Sequence, residues 1–203
     1  MSLPGMDLLL SHPQIYRRIR LLIGGNGASQ NFVNTFIRPK TGDKILDIGC
    51  GPGDILEFLP AVDYLGFDLN EGYITNARKR FSDRGQFFCK NVSRDAIPGE
   101  NIFDLVIACG VFHHLSGDEA DEMFELAHTL LKPGGRFITL DGIYIPHQSY
   151  FVHFLLSIDR GKFVRTQEQY RIIAQKKFSD IRLFVRHDLL RIPYTHIIME
   201  CTK

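Results

Sequence analysis

Leu46-Asp47-Ile48-Gly49-Cys50-Gly51-Pro52-Gly53-Asp54 is the stretch that decides the fold. Lys44 to Ile48 is a short apolar run that ends in glycines, and Asp54 to Leu59 then reads as the start of a helix with Asp54 as its N-terminal cap. A loop between a strand and a helix needs glycine where the backbone turns tightly and where a ligand must approach without a Cβ in the way. Gly49, Gly51 and Gly53 meet that need, although a Gly-x-Gly-x-Gly run alone is weak evidence. Its context strengthens it: Asp68 stands about 20 residues on, at the end of the next apolar run, where a carboxylate can accept both hydroxyls of a ribose.

Working outward, strand-like and helical patterns alternate, which predicts a doubly wound α/β sheet with helices on both faces. Tyr64 to Asp68 is the second strand and Gln86 to Cys89 the third, separated by a helix over Glu71 to Phe81. Phe103 to Cys109 reads as the fourth strand. A helix from Asp118 to Leu131 follows, with Met123, Leu126, Ala127, Leu130 and Leu131 on one face, and Lys132-Pro133-Gly134-Gly135 stops it. Arg136 to Leu140 is the fifth strand. Ile181 to Arg186 and Tyr194 to Cys201 are the sixth and seventh, and His187 to Pro193 between them is too short for a helical crossover, so that pair is antiparallel. If the sixth strand runs parallel to the first, the connection after it lies on the ligand-binding edge.

The spacing of the loop discriminates between ligands. A dinucleotide fingerprint would put its third glycine where this chain has Asp54, an acid on the helix N-terminus where a pyrophosphate would sit, which disfavours a nicotinamide-dependent dehydrogenase. S-adenosylmethionine carries an ammonium and a carboxylate but no phosphate. Acids such as Asp47 are compatible with it, and backbone N–H groups of the loop would take its carboxylate.

At this point the chain resembles the class I S-adenosylmethionine-dependent methyltransferases, specifically the small-molecule group. The resemblance rests on Leu46 to Gly53, on Phe67-Asp68-Leu69, on Phe103-Asp104-Leu105-Val106 with Phe112-His113-His114-Leu115, and on Leu131-Lys132-Pro133-Gly134-Gly135-Arg136-Phe137. It implies a Rossmann-like seven-stranded sheet, mostly parallel with an antiparallel last strand. It further implies that Asp68 binds the ribose and that the residue after the third strand reads the adenine. The family usually has an acid there, whereas this chain offers Asn91 next to Val92, and the side-chain oxygen of Asn can still accept from an adenine amino group. The cofactor set is thus Asp47, Gly49, Cys50, Gly51, Gly53, Asp68, Leu69, Asn91, Val92, Cys109 and Gly110, with S-adenosylmethionine as cofactor and S-adenosylhomocysteine as product.

Methyl transfer from a sulfonium is an in-line displacement, so holding the reactants in line supplies much of the rate, and a base is needed only when the acceptor must lose a proton. His113 and His114 follow the fourth strand on the ligand-binding edge and are the candidates for that base; packing against the cofactor or capping the next helix is the competing role. Asp141 at the end of the fifth strand, Tyr144 and His147 just beyond it, Arg191 in the connection before the last strand and Tyr194 at its start are candidates for acceptor contact. Phe151, Phe154, Leu155 and Ile158 recur at helical spacing and read as a core-facing stripe, while Arg160, Lys162 and Arg165 read as a solvated basic cluster.

Composition sets the remaining bounds. At 203 residues, 44% of them hydrophobic, the chain suits one domain: a helical N-terminal cap over 1–40 broken at Gly24-Gly25-Asn26-Gly27, a cofactor half over 41–141, a partly helical insertion over 146–177 that covers substrate, and a C-terminal strand pair over 181–203. Lys and Arg number 24 against 23 Asp and Glu, so there is no strong field for nucleic acid or an anionic membrane surface. No apolar run reaches a membrane span, the N-terminus does not read as a signal peptide, and the four scattered cysteines lack metal-ligand spacing, so a cytoplasmic setting without a metal is expected. The expected partner is a small-molecule acceptor methylated on oxygen, nitrogen or carbon. A non-catalytic S-adenosylmethionine-binding protein, or a methyltransferase of a protein or a carrier-bound intermediate, are the alternatives; oligomeric state is not readable.

Overall fold

A computed structural model describes residues 25–158 and 162–203. The strands are β1 (Lys44–Ile48), β2 (Asp63–Asp68), β3 (Gln86–Cys89), β4 (Phe103–Cys109), β5 (Leu131–Tyr144), β6 (Arg165–Thr166), β7 (Asp180–Arg186) and β8 (His196–Thr202). The α-helices are α1 (Gly25–Phe32), α2 (Glu71–Phe81), α3 (Gly117–Leu130), α4 (Tyr150–Ile158) and α5 (Gln167–Gln175). The N-terminal cap expected over residues 1–40 lies largely outside the described residues; its described part is α1 and a π-helical turn, Val33–Ile37.

Seven strands form one sheet in the order β3-β2-β1-β4-β5-β8-β7, and the two-residue β6 joins the far end of β5 as an eighth. β1 to β5 pair parallel, while β8 lies antiparallel between β5 and β7, so β7 runs with the parallel set as expected. Alternate residues of the central strands feed two cores. Leu46, Val106, Phe137 and Met199 pack on α3 and α5. Ile45, Leu105, Ile107 and Ile138 pack with α2 and the π-helical turn on the other face. That two-sided burial is why these strands read as continuous apolar runs rather than alternating ones.

Local signals account for the helix ends. Asn70 caps α2 by accepting from Tyr73 N, and Ser116 with Glu119 forms a reciprocal capping box on α3. A second box, Thr166 with Gln169, opens α5, whose Tyr170 and Ala174 are buried in the core. The last part of the expected 146–177 insertion is therefore the crossover helix of the sheet itself.

Three expectations are corrected. β5 begins at Leu131, where α3 ends, and runs to Tyr144, so Asp141 lies inside the strand rather than at its end; pairing of Gly142 with His196 and of Ile143 and Tyr144 with β6 extends it. On α4 the buried pair is Val152 and Leu156, four apart, whereas Phe151 and Phe154 are exposed. The side chain of Ile158 lies outside the described residues. Lastly, Arg165 is not a solvated charge but 8% exposed, while Lys162 is exposed and Arg160 lies outside the described residues.

No helix among the described residues is long and apolar enough to cross a membrane, and none of their His, Cys, Asp and Glu residues cluster as a metal site. None of the four cysteines is in a disulfide: Cys50 and Cys201 are buried, and Cys89 is exposed although it ends a strand.

Candidate active site

The loop after β1 is held from within. Gly49, Gly51 and Gly53 all have positive φ, +70°, +56° and +75°, a region costly for residues with a Cβ. Gly49 N and Cys50 N both donate to Phe67 O at 2.7 and 3.0 Å, Gly53 N donates to Cys50 O at 3.1 Å, and Gly51 N donates to Asp68 Oδ2 at 2.9 Å. Four loop amides are thus already engaged within the chain, and the expectation that such amides take a ligand carboxylate is corrected for these four. The same arrangement argues against a pyrophosphate, which relies on such amides.

The argument from Asp54 is corrected as well. The segment after the loop is a single 3₁₀ turn, Asp54–Phe58, with Gly53 in the left-handed conformation at its N-cap, so the cap position falls on Gly53 and not on Asp54. Its carboxylate is buried and meets Arg80 Nη1 at 2.5 Å, and the same guanidinium bonds Pro52 O and Glu57. Asp54 braces the loop from behind.

Cofactor-side residues converge on this loop. Asp68 accepts from Gly51 N through one oxygen and from Asn70 N at 2.8 Å through the other, which fixes both oxygens at the mouth of the loop. Each carboxylate oxygen retains capacity for a further donor, as two vicinal hydroxyls require. Leu69 beside it is 73% exposed, an unusual apolar surface next to a carboxylate. A Cβ at Gly51 would meet nothing within 4 Å, whereas one at Gly49 would lie 2.6 Å from Val111 Cγ2. Room at Gly51, a two-oxygen acceptor and an exposed apolar face fit, in that order, the amino-acid portion, ribose and base of S-adenosylmethionine.

Other residues of the set serve differently. Asp47 is buried and accepts from Tyr64 Oη at 2.5 Å; burial pushes the Tyr64 phenol up, with the charge on Asp47 adding to it, so Tyr64 stays a donor. Burial likewise pushes the Cys50 thiol up, and its Sγ occupies the space that a Cβ on Gly66 would need. Val92 packs into the core and Asn91 is exposed. Gly110, at φ +72°, follows Cys109 and donates to Leu140 O at 2.7 Å, tying β4 to β5 at the ligand edge.

On the acceptor side the structure joins two residues that the sequence kept apart. His113, 7% exposed on a 3₁₀ turn after β4, has Nδ1 2.8 Å from Asp141 Oδ1 on β5, and the His113 amide also donates to that oxygen at 3.3 Å. Asp141 is 1% exposed, so it is the partner of His113 and not a surface that an acceptor touches. Burial raises the Asp141 carboxyl above the usual range and the hydrogen bond from His113 opposes that rise. Its Oδ2 has no hydrogen-bond partner among the described residues. A carboxylate on Nδ1 fixes the imidazole with its lone pair on Nε2, the arrangement that makes a histidine a proton acceptor. His114 is exposed, its ring 4.1 Å from that of His113.

The remaining acceptor candidates divide. Tyr144 stacks on His153 at 4.8 Å and Tyr194 packs against His196 at 4.7 Å, while a Cβ on Gly142 would stand 2.8 Å from Tyr194 Oη. Tyr194 therefore flanks the residue after Asp141, whereas Tyr144 is turned to His153 on α4. His147 is exposed with φ +58°, and Arg191 is exposed on the connection between β7 and β8; the structure does not bring either to His113. Sequence reasoning missed Arg165, whose guanidinium reaches the carbonyls of Phe112, Leu115 and Ser116 around His113. Its one signal was its position immediately before the Thr166-x-x-Gln169 box, which placed it at a buried helix start.

Residues 46–137 match the family model described as "Methyltransferase domain". That span is a methyltransferase domain, and the chain is similar to the class I S-adenosylmethionine-dependent methyltransferases. The chain is 30% identical over 162 residues, 68% of its length, to the lovastatin nonaketide synthase of Monascus pilosus, and 23% identical over 199 residues to phosphoethanolamine N-methyltransferase 3 of Arabidopsis thaliana. The chain spans 5% of the synthase and 39% of the plant enzyme. The methyltransferase fold is shared with Haemonchus contortus phosphoethanolamine N-methyltransferase 2 in complex with phosphomonomethylethanolamine and S-adenosylhomocysteine, with TM-score 0.75, 16% identity, 98% of this chain and 59% of that one covered. A cyclopropane synthase of Mycobacterium tuberculosis aligns over 98% of this chain and 99% of its own at TM-score 0.70 and 15% identity.

Proposed function

We propose that the protein transfers a methyl group from S-adenosylmethionine to an oxygen, nitrogen or carbon of a small acceptor that must lose a proton to react, with His113 as the base. The observation that carries this reading is the buried His113–Asp141 pair at 2.8 Å, at the ligand edge of β4 and β5. Asp68 holds the ribose hydroxyls, Leu69 lies under the adenine with Asn91 at its edge, and the open face at Gly51 admits the amino-acid portion. When bound, S-adenosylmethionine supplies an electrophilic methyl group on a sulfonium whose departure as a thioether takes the C–S electron pair. Asp141 holds the Nδ1–H of His113, so that Nε2 accepts the acceptor's proton as its electron pair is committed to the new bond. The ring of His114 lies beside that imidazole.

A second reading follows from one comparison. The similarity to lovastatin nonaketide synthases, one of them named as a polyketide synthase component, favours a carrier-bound thioester acceptor, whose activated C–H is the kind of acid a histidine–carboxylate pair removes. Methyl-labelled S-adenosylmethionine incubated with amine, phenol and β-ketoacyl thioester pools separates the readings. Label in a pool that is lost in His113→Ala supports a base; label that persists unchanged in His113→Ala refutes it.

A further inference from the structure

We infer that Arg165 is a positioning residue for the proton acceptor, a clamp that holds the His113 turn against Asp141; this rests on the base assignment above. Nη1 of Arg165 donates to Phe112 O at 2.6 Å, and Nη2 to Leu115 O at 2.6 Å and Ser116 O at 3.0 Å. The guanidinium thus gathers carbonyls from both sides of His113 and His114. The neighbouring backbone adds a fourth tie, with Phe163 N donating to His113 O at 2.9 Å.

The other end of the clamp is the strand that carries Asp141. Arg165 is the first residue of β6, whose two residues pair with Ile143 and Tyr144 of β5, two and three positions beyond Asp141. Tyr170, one turn into α5, lies between: the Arg165 guanidinium sits 5.9 Å from its ring centroid, and its hydroxyl donates to Gly142 O at 3.2 Å. One side chain therefore ties the turn bearing the imidazole to the extended end of the strand bearing its carboxylate. A relative shift of about 1 Å between these segments would break a 2.8 Å hydrogen bond.

The chemistry of the contact points the same way. Arg165 is 8% exposed, and its hydrogen bonds go to carbonyl oxygens with no carboxylate in ion-pair range among the described residues. A buried cation without a paired anion is costly and needs a compensating role. The buried anion nearby is Asp141, and the two charges act in opposite senses on the Tyr170 phenol. A planar fork with several donors can span three carbonyls at once, which an ammonium cannot match in geometry.

The test is nitrogen-15 histidine NMR on the full-length protein, reading the tautomer of His113, with S-adenosylhomocysteine affinity measured by calorimetry in parallel. In the wild type His113 should be in the Nδ1–H form. Arg165→Met should bring it to a mixture of tautomers and lower methyl transfer, once an acceptor pool is labelled, at least tenfold, with S-adenosylhomocysteine affinity changed less than twofold. Arg165→Lys should lie between the two, which also keeps the test decisive if Arg165→Met does not fold. An unchanged tautomer in both variants, or loss of S-adenosylhomocysteine binding in step with the tautomer in Arg165→Lys, overturns the clamp. A wild type lacking the Nδ1–H form overturns the base assignment together with it.

Discussion

The two halves of the site are built from different materials. The cofactor side is made of backbone: left-handed glycines, amides spent on Phe67 O and Asp68, and one carboxylate fixed by two N–H groups. The acceptor side is made of side chains from distant segments, with His113 on the turn after β4, Asp141 on β5 and Arg165 on β6. A backbone loop leaves a local signature in the sequence because glycine adopts those φ angles without the steric cost of a Cβ. A side-chain pair such as His113 with Asp141 leaves none until the fold brings it together.

This contrast can be broken at several points. The largest effect is expected at His113. Changing it to Ala should cut methyl transfer by roughly 10²–10⁴-fold while S-adenosylhomocysteine affinity measured by calorimetry stays as in the wild type. A parallel loss of affinity would mean that the two halves are not separable.

Arg80→Met comes next, since it strands the buried Asp54 carboxylate behind the loop. Removing one member of a buried ion pair should cost about 3 kcal/mol in urea unfolding. A cost under about 1 kcal/mol would show that Asp54 does not brace the loop.

The glycines sharpen the comparison within the cofactor half. Gly49→Ala meets both a positive φ and Val111 Cγ2, and should lower stability by about 2–3 kcal/mol. Gly51→Ala meets open space and should cost about 1 kcal/mol, yet weaken S-adenosylhomocysteine more than tenfold. Equal effects of the two substitutions on binding would refute the assignment of the space at Gly51.

The smallest effect concerns Asp104, which lies outside both halves. Partial burial pushes its carboxyl up, but the side-chain bonds from Lys132 and the amide of Lys44 outweigh this and hold it below the usual carboxylate range. With the folded value depressed, the stability it contributes is present above the unfolded carboxylate range near pH 4 and is lost as pH falls through the folded value. Asp104→Ala should therefore cost about 1 kcal/mol at pH 7, a figure discounted for its partial exposure, and the difference from wild type should shrink toward pH 3. A constant difference across that range would rule out the charge as its source.

How much was legible follows from the same contrast. The helix over Glu71–Phe81 and the strand over Phe103–Cys109 agree with their periodicity because their partners are local or uniformly apolar. The antiparallel last strand was legible from the shortness of the 187–193 connection. Asp54 was misread because sequence alone cannot say which way a short acid points, and Arg80, its partner, lies one crossover away. Asp141 and Arg165 were misread for a related reason. An acid at a strand end and an arginine near Lys162 look solvated until β6 and β8 extend β5 and bury them.

The measurement closest to the central claim is a calorimetric titration of S-adenosylhomocysteine into the wild type and Asp68→Ala. Saturable binding to the wild type, weakened at least tenfold in the variant with its fold intact by circular dichroism, is the predicted result. Wild-type protein that does not bind, or a variant that binds as tightly, would contradict the account.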